Sequence, residues 1–403
     1  MAPYLASLGP LFSELMTALL PSAPETTPLE LVRHIEAGRT VQIMDVRAPE
    51  RVATGRVDLV PSESYYNIRG SVLITHSDLA PSGLDSELPV VTVCGQGKDS
   101  AVIAAHLNKL GANASSLAGG MVGWMNLAVP RELDPPQGLD RLIQFDRIGK
   151  GCLGYLLVSE GQALIVDPPL HFGPYRESLR DAGAELVGVA DTHVHADYVS
   201  GAVPMAREFG VPYHLHPADA VYPYDGTPGR IQFQPLSHGD VLELGETSVR
   251  VMHTPGHTEG SVTYLVNGRV ALTGDFLFVE SIGRPDLGGM EEIWAGQLWD
   301  SVERAKGGWD PGMAIYPAHY ATARERRMGR AVGIPFGDLL EENPVLKISE
   351  RDAFLRFILE NKASFPDAYR TIKALNVGLA PIVQDEVEVL EVGRNECALG
   401  GPL

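Results

Sequence analysis

The chain has 403 residues, a length that predicts two or three domains at about 150 residues per domain. Its net charge of -19 argues against nucleic acids and anionic membranes as partners, because a surface of that sign repels both. Three cysteines are too few for a disulfide framework, so we expect a reducing, cytoplasmic environment.

The first residues contain an apolar stretch that is interrupted by Glu14 and preceded by no basic residue. A secretory signal begins with a basic segment, so this stretch predicts an amphipathic helix over about Leu8 to Leu20 instead. We expect this N-terminal helix, within residues 1–23, to dock on the body of the protein or on a second subunit. No apolar run has the roughly 18 residues that a membrane-spanning helix needs.

Residues 24–135 predict an α/β domain. A helix is expected over LELVRHIEAG (29–38), and another over DSAVIAAHLNKLG (99–111). VQIMDV (41–46) and PVVTV (89–93) are short runs rich in β-branched residues, the pattern of buried parallel strands. This alternation predicts a doubly wound parallel sheet.

A boundary is predicted at RELDPPQGLD (131–140), because two consecutive prolines are typical of a linker. Strand-like runs and helical segments follow, and the stretch 350–377 is largely helical in pattern. These features predict a second domain over residues 140–380 with a helical C-terminal part. We expect the tail (381–403) to add an edge strand.

Cys94 directly follows the run PVVTV and opens a glycine-containing loop that leads into a predicted helix. In such a loop, backbone N–H groups and the helix N-terminus point at one centre and stabilise an anion there, which favours a cysteine thiolate. The alternative is a buried, inert cysteine. The residues that complete the candidate loop are Gly95, Gln96, Gly97, Lys98, Asp99 and Ser100.

This loop resembles the active-site loop of rhodaneses, the sulfurtransferases. MDVRAPE (44–50) and LAGGMVGWMNLAVP (117–130) resemble the Asp-Val-Arg and Gly-Gly-x-x-x-Trp elements that flank it in that family. The resemblance implies that Cys94 is catalytic and carries sulfur as a persulfide. Many rhodaneses have arginine where Asp99 stands, which argues against thiosulfate as the preferred sulfur donor.

Histidine and aspartate recur after four predicted strands of the second domain. Strand ends that each deliver such a residue to one edge of a sheet predict a metal site. The candidates are, in chain order, His193, His195 and Asp197 in ADTHVHADYVSG, His253 and His257 in HTPGHT, Asp275 in LTGD, and His319 in IYPAH. A second H-x-H, in YHLHP (213–217), has no acidic neighbour, and we interpret it as one face of a surface strand.

The set resembles the metallo-β-lactamase superfamily over about residues 140–330, which implies an αββα sandwich. LIVDPP (164–169) resembles the strand of that family that ends in Asp-Pro. Most hydrolases of the superfamily carry H-x-H-x-D-H, but Tyr198 stands here in place of the last histidine. A phenol with a pKa of about 10 is a poor replacement for a neutral imidazole, so a two-zinc hydrolytic centre is disfavoured.

Within that superfamily, SIGRPDLGG (281–289) and the later helical segment YRTIKALN (369–376) resemble the persulfide dioxygenases. The resemblance implies one Fe(II) per chain with open positions for substrate and oxygen. By the same resemblance its ligands are His193, His257 and Asp275. The residues expected around these ligands are His195, Asp197, Tyr198 and His319. The competing assignment makes His195 a direct ligand, and Arg284 is a candidate substrate-binding residue.

The resemblance implies oxidation of a thiol persulfide, expected to be glutathione persulfide, by O2 to sulfite and the free thiol. Cys94 would move sulfane sulfur, either delivering persulfide to the iron or converting sulfite into thiosulfate. The second hypothesis is a glyoxalase II-like glutathione thioesterase with two metals. The third is a sulfur carrier or sensor in which the metal is structural. A homodimer is the expected oligomeric state.

Overall fold

The computed structural model of the protein describes residues 23–285, 289–327, 330–361 and 366–397. The helix predicted over Leu8 to Leu20 lies outside these residues. The chain forms two compact units, and the first comprises Met1–Leu127 with two short segments, Arg147–Lys150 and Val392–Arg394. Among the described helices, none is long and apolar enough to cross a membrane.

The first unit contains one five-stranded sheet in the order β1-β5-β4-β2-β3, with every pair parallel. The predicted parallel α/β fold is therefore confirmed. Its strands are β1 (Glu25–Thr26), β2 (Gln42–Asp45), β3 (Tyr65–Asn67), β4 (Pro89–Val93) and β5 (Asn113–Leu117). Its helices are α1 (Pro28–Glu36), α2 (Pro49–Val52), α3 (Gly70–Leu73), α4 (Lys98–Lys109) and α5 (Gly120–Asn126).

The Asp-Val-Arg element at the end of β2 connects this strand to the edge strand β3. The Arg47 guanidinium lies 2.6 Å from Asp45 Oδ2, and the Tyr65 hydroxyl donates to the same carboxylate at 2.6 Å. Arg47 also donates to the backbone carbonyl of Gly55. Since Asp45 is fully buried and both partners satisfy it, this element has a structural explanation.

The first turn of α5 packs against the backbone of the Cys94 loop. The Met121 N–H donates to the Cys94 carbonyl at 2.9 Å, and the Val122 N–H donates to the Gly95 carbonyl at 3.1 Å. Gly120 has a φ of 56°, and a Cβ placed on it would lie 2.5 Å from the Cys94 carbonyl oxygen. The glycine pair before Trp124 is therefore required by close backbone packing.

The second unit contains a seven-stranded sheet, in the order β14-β11-β10-β9-β8-β7-β6, and a six-stranded sheet, in the order β15-β16-β17-β18-β19-β20. The strands of the first sheet are β6 (Val129–Leu133), β7 (Arg141–Arg147), β8 (Cys152–Ser159), β9 (Gln162–Val166), β10 (Glu185–Ala190), β11 (Tyr213–Leu215) and β14 (Gln234–Pro235). Between them, β12 (Val221–Tyr222) and β13 (Thr227–Pro228) form a small hairpin. The strands of the second sheet are β15 (Val241–Leu244), β16 (Thr247–His253), β17 (Val262–Val266), β18 (Val270–Gly274), β19 (Ala314–Pro317) and β20 (Ile334–Pro335).

Side chains alternate along the strands of the seven-stranded sheet and build two cores. Leu157 belongs to a cluster that it shares with Val251 of the six-stranded sheet. Its neighbour Leu156 belongs to a cluster with the helices on the opposite face. This is the period-two pattern of a sheet buried on both faces, and it confirms the predicted αββα sandwich. The helices of this unit are α6 (Gly173–Ala182), α7 (Ala202–Phe209), α8 (Glu291–Gly308), α9 (Phe336–Glu342), α10 (Arg351–Glu360), α11 (Ala368–Asn376) and α12 (Gln384–Leu390).

Two segments differ from the sequence-based expectation. The proline-containing stretch 131–140, predicted as a boundary, connects β6 and β7, which pair in antiparallel register within the second unit. Two prolines suit a hairpin connection as well as a linker, because proline has no backbone N–H that would need a hydrogen-bond partner. The tail was expected to add an edge strand, but Gln384–Leu390 is a helix. Val387 of that helix packs against Val199 and Ile372, so tertiary contact decides its structure.

Replacing Gly120 by alanine tests the packing beneath the Cys94 loop. Gly120→Ala is expected to destabilise the first unit by about 1–3 kcal/mol, because it combines a left-handed φ with a backbone clash. Hydrogen exchange of peptides covering β4 and α4, followed by mass spectrometry, should show faster exchange. The matched control is Gly95→Ala in the same loop, where a Cβ meets nothing within 4 Å. Equal exchange in the two variants would contradict the packing argument.

Candidate functional sites

Four strand ends of the second unit deliver the predicted residues to one place. The loop after β10 carries His193, and the segment after β16 carries His257. Asp275 follows β18 directly, and one residue separates the end of β19 from His319. Neighbouring strand ends of the two sheets thus converge, and each of these four side chains is at most 1% exposed.

Three of these side chains form the group that best fits a metal ion. His193 Nε2, His257 Nε2 and Asp275 Oδ2 lie within 4.8 Å of one another. The carboxylate oxygen is 3.7 Å from His193 Nε2 and 3.3 Å from His257 Nε2. Among the residues that the structure describes, none offers a hydrogen-bond partner to these three atoms, although all three are buried. Buried polar atoms are almost always paired, so three converging lone-pair atoms without a hydrogen-bond partner fit a bound cation.

The two histidines are held as neutral rings, as metal binding requires. Burial lowers the pKa of His257 to about 4, although the Asp275 carboxylate acts in the opposite direction. Burial also lowers the pKa of His193 well below its usual value. Both rings therefore present a lone pair at neutral pH.

Hydrogen bonds on the far side of each ring set its orientation. His257 Nδ1 lies 2.9 Å from the Arg284 carbonyl oxygen, which can only accept a proton, so Nε2 is left free. His193 Nδ1 lies 3.0 Å from the Thr192 hydroxyl, which itself donates to Asp167. Such outer partners fix the tautomer and aim the ligand atom.

His319 sits between two carboxylates and positions Asp275. Its Nδ1 is hydrogen-bonded to Asp275 Oδ1, and its Nε2 lies 3.0 Å from Asp197 Oδ2. Burial favours the neutral ring, but Asp197 and Asp275 outweigh it and raise the pKa of His319 well above its usual value. Because one Asp275 oxygen is engaged by His319, the other faces His193 and His257.

His195 lies beside this group and outside it. Its Nε2 is 3.1 Å from Asp167 Oδ1 and 2.9 Å from the Tyr198 hydroxyl. Burial raises the pKa of Tyr198 well above its usual value, so its phenol stays neutral at physiological pH and is a weak ligand. The arrangement places His195 in contact with Asp167 at the Asp-Pro strand end, and His195 forms a separate group of potential ligands with Asp167 and Asp191.

Several residues of this region were missed by the sequence analysis. Cys152 donates its thiol proton to Asp197 Oδ2 at 3.1 Å, and its sulfur lies with His319 in a second group of potential ligands. Cys397 forms a similar group with Asp275 and His319. Neither cysteine has a local motif, and Cys397 lies more than 70 residues beyond His319, so only the fold could reveal them.

Asp219 is a further missed residue, and it connects the loops that carry two of the candidate ligands. Its carboxylate accepts the Val194 N–H at 2.7 Å, the Gly260 N–H at 2.7 Å and the Thr258 hydroxyl at 2.9 Å. The side chain is 5% exposed. By bonding to the residues next to His193 and His257, Asp219 fixes the distance between their loops.

The predicted substrate-binding residue Arg284 is 2% exposed and lies against the C-terminal segment. Its guanidinium donates to the Glu396 carbonyl at 3.3 Å, and its backbone N–H donates to the Cys397 carbonyl at 3.1 Å. Its own carbonyl orients His257, as described above. The contacts of Arg284 thus join the C-terminal segment to the metal group.

The Cys94 loop of the first unit is a separate site. Cys94 Sγ accepts from the Gly97 N–H at 3.1 Å and from the Ser100 hydroxyl at 3.2 Å, and the cysteine is 4% exposed. Gly97 has a φ of 90° and precedes α4. The side chains of Gln96, Lys98 and Asp99 are exposed. Two donors directed at one sulfur suit a thiolate or a sulfur anion.

Two facing sheets with outer helices and a buried histidine–aspartate group at one edge define a class of metal-binding αββα proteins. The sequence model of the metallo-beta-lactamase superfamily matches residues 148–357, and the chain belongs to this superfamily. The model of the rhodanese-like domain matches residues 27–127, so the N-terminal domain is rhodanese-like. The chain is thus related to hydrolase- and oxidase-type enzymes whose fold binds zinc or iron.

Three similar proteins illustrate this relationship. The hydroxyacylglutathione hydrolase of Acidiphilium cryptum (strain JF-5) is 31% identical over 219 residues, which is 50% of this chain and 88% of that protein. A metallo-beta-lactamase structure from Staphylococcus aureus subsp. aureus COL has a TM-score of 0.54 and 26% identity, covering 60% of this chain and 74% of that one. The ETHE1 structure from Myxococcus xanthus has a TM-score of 0.47 and 23% identity, covering 62% and 99% respectively.

Removing either His257 or Asp275 tests the assignment of the metal group. His257→Ala and Asp275→Ala should each lower metal affinity by at least about tenfold, since even an outer partner of a ligand typically changes affinity 10–100-fold. Metal content after anaerobic purification, measured by mass spectrometry, reports the loss. His214→Ala is the control, because it removes a histidine of the other H-x-H and should keep the metal. Full metal content in either ligand variant would refute the assignment.

Proposed function

We propose that the protein is a persulfide dioxygenase with one Fe(II) per chain and a joined sulfurtransferase domain. Its substrate would be a thiol persulfide, with glutathione persulfide as the leading candidate. The observation that carries the proposal is the group of two neutral imidazoles and one carboxylate, with Tyr198 where a dinuclear hydrolase has histidine. Two histidines and one carboxylate with open positions are typical of iron(II) oxygenases. The attached rhodanese-like domain supports a sulfur substrate.

The overall reaction balances with one persulfide, one dioxygen and one water giving one thiol, one sulfite and two protons. An Fe(II) ion held by His193, His257 and Asp275 would supply the redox chemistry that dioxygen requires and that zinc lacks. Burial of these side chains excludes bulk water from the reacting atoms. His319 keeps Asp275 ionised and oriented, and its positive charge beside Asp275 could stabilise a developing anion.

The Cys94 site would handle sulfane sulfur by itself. The Cys94 thiolate would attack the outer sulfur of a persulfide, forming a protein persulfide and releasing the thiol. The Gly97 N–H and the Ser100 hydroxyl already point at the sulfur and would stabilise its charge. A nucleophile such as sulfite could then take the outer sulfur and leave as thiosulfate. In the alternative route, the Cys94 persulfide would pass its outer sulfur to a thiol, and the resulting thiol persulfide would be the substrate of the iron site.

A glutathione thioesterase with two metals is the second candidate. Two observations favour it: the 31% identity to a hydroxyacylglutathione hydrolase, and the group of Cys152, Asp197 and His319, whose ligand atoms lie within 4.8 Å of one another. A dinuclear site would need that group to hold the second metal and a water nucleophile. Tyr198 weighs against it, because it replaces a ligand by a neutral phenol.

Metal analysis combined with oxygen uptake separates these candidates. We expect one iron per chain and rapid oxygen consumption with glutathione persulfide, yielding sulfite, because the group offers three protein ligands for one redox-active ion. An oxygen electrode and ion chromatography measure uptake and product. Hydroxyacylglutathione is the comparison substrate and should be hydrolysed slowly or not at all. Two tightly bound metals with thioester hydrolysis and no oxygen uptake would replace the proposal by the thioesterase.

Exchanging Cys94 for serine tests the independence of the two sites. Cys94→Ser should abolish sulfur transfer and leave oxygen consumption on pre-formed glutathione persulfide largely intact, since the sulfur and its donors all lie within residues 94–100. The product should shift from thiosulfate towards sulfite. Cys94→Ala serves as a second variant without a hydroxyl. A fall in oxygen uptake of more than about tenfold, about 1.4 kcal/mol of barrier, would mean that Cys94 supplies the iron site.

A further inference from the structure

A fully buried serine stands in a central strand of the first unit. The strand β5 lies between β1 and β4, and it contains two consecutive serines, Ser115 and Ser116. Buried parallel strands are normally near-continuous apolar runs, because both of their faces are covered. Ser116 is nevertheless 0% exposed. A hydroxyl in such a place needs hydrogen-bond partners, and those partners indicate what the serine does.

The Ser116 hydroxyl is the far end of a chain of buried groups that leads to the Cys94 sulfur. Its Oγ lies 2.9 Å from Ser100 Oγ and 3.2 Å from the Gly97 carbonyl oxygen. Ser100 Oγ in turn lies 3.2 Å from Cys94 Sγ and 3.2 Å from the same carbonyl oxygen. Ser100 is also 0% exposed, so both hydroxyls are shielded from water. We call Ser116, Ser100 and Cys94 the hydroxyl chain.

The number of protons in the hydroxyl chain limits how its bonds can be arranged. Each serine has one proton to donate. In one arrangement, Ser116 donates to Ser100, and Ser100 donates to the Cys94 sulfur, which acts only as an acceptor. In the reverse arrangement, the Cys94 thiol donates to Ser100, Ser100 donates to Ser116, and Ser116 donates to the Gly97 carbonyl. The first arrangement fits an anionic sulfur, and the second fits a protonated thiol.

Only the hydroxyl protons need to rotate between the two arrangements, because other bonds hold the backbone of the group. The Thr92 hydroxyl donates to the Ser100 carbonyl at 2.8 Å. The Gly97 carbonyl also accepts the Ala101 N–H at 3.3 Å, so it keeps a partner when neither serine donates to it. Hydrogen bonds in a chain polarise one another, so a donor at Ser116 strengthens the bond from Ser100 to an anionic sulfur.

We propose that Ser116 is a positioning residue for Cys94 and that it stabilises negative charge on the sulfur through Ser100. The inference rests on the proposed sulfur transfer and adds to it a residue outside the Cys94 loop. When Cys94 Sγ attacks the outer sulfur of a persulfide, a new S–S bond forms. The old S–S bond breaks, and its electron pair leaves with the thiol sulfur, which takes up the proton of the persulfide. When sulfite then takes the outer sulfur, the electron pair of the new S–S bond returns to Sγ. The hydroxyl chain acts at the start of the first step and at the end of the second, when Sγ carries the charge.

Alkylation of Cys94 measures the effect on the sulfur directly. In the full-length protein, Ser116→Ala should slow alkylation by iodoacetamide at neutral pH by about three- to tenfold, the range expected for one lost hydrogen bond. The pH at which the rate is half-maximal should move upward, because the anionic sulfur loses part of its stabilisation. Mass spectrometry of the peptide that contains Cys94 separates this cysteine from Cys152 and Cys397.

The charged side chains near the loop are the same in all of these variants, so a moved pH profile reports on the hydroxyls. The sequences of β5 and α5 contain no charged residue. The charged residues on the other elements beside the loop are Lys98 and Asp99 in the first turn of α4, the Asp45–Arg47 pair at the end of β2, and the Glu50–Arg69 pair.

The neighbouring serine of the same strand is the matched control. Ser115 points to the opposite face, where its Oγ lies 2.7 Å from Thr26 Oγ1, so Ser115→Ala should react like the wild type. A second pair of variants controls for packing: Ser116→Thr keeps a hydroxyl, and Ser116→Val has the same shape without one. Alkylation should be slower in Ser116→Val than in Ser116→Thr. Equal rates in these two variants, or equal slowing in Ser115→Ala and Ser116→Ala, would overturn the proposal.

A double variant tests whether Ser116 acts through Ser100. Ser100→Ala alone should slow alkylation at least as much as Ser116→Ala does. Once Ser100 is replaced by alanine, Ser116→Ala should have no further effect, since the path to the sulfur is already broken. Additive effects of the two substitutions would mean that Ser116 acts on the loop by packing, and they would overturn the proposal.

Sulfur transfer from glutathione persulfide to sulfite distinguishes this inference from the proposed function. Slower alkylation in Ser116→Ala, in a protein whose wild type forms no thiosulfate, would retain the hydroxyl chain and reject sulfur transfer at Cys94. Thiosulfate formation by the wild type, with unchanged alkylation in Ser116→Ala, would retain the transfer and reject the hydroxyl chain. In the expected case, Ser116→Ala lowers both rates by about three- to tenfold.

Discussion

Burial of three unpaired metal-ligating atoms is the constraint on which the second domain is built. His193 Nε2, His257 Nε2 and Asp275 Oδ2 are buried and have no hydrogen-bond partner in the described part of the chain, an arrangement that a bound cation makes favourable. Hydrogen bonds from the surrounding residues hold those three atoms in place. His319 fixes one oxygen of Asp275, and the Arg284 carbonyl fixes the far side of His257. The group is therefore an incomplete structure that a metal completes.

The two candidate sites of the chain are built from different kinds of polar group. The Cys94 loop relies on a backbone N–H, a hydroxyl and the N-terminus of α4, so its field comes from groups with no net charge. The metal group combines two neutral imidazoles with the Asp275 carboxylate, and His319 lies between that carboxylate and Asp197. Uncharged hydrogen-bond donors around a cysteine suit transfer of sulfur between thiols. A buried group that includes a carboxylate suits binding of a metal ion.

Local sequence patterns were sufficient for the fold and for the residues that come together at strand ends. The parallel sheet, the sandwich and the convergence of His193, His257 and Asp275 all follow from motifs of a few residues placed after β-branched runs. Contacts between distant segments could not be predicted in this way. Cys397 and Asp219 carry no motif, and they acquire a role only because the fold brings them beside the histidines. The tail helix was missed for the same reason, since packing of Val387 decides its structure.

The wide spacing of the contributing segments affects when each site can form during synthesis. The Cys94 loop packs against Gly120, so the loop can take its final conformation only after α5 has been synthesised. The metal group needs His193 and also His319, which holds Asp275 in place. The ribosome must therefore extend the chain past His319 before the metal group can be complete. Any metal ion that this group binds therefore depends on segments that are synthesised after the whole rhodanese-like domain.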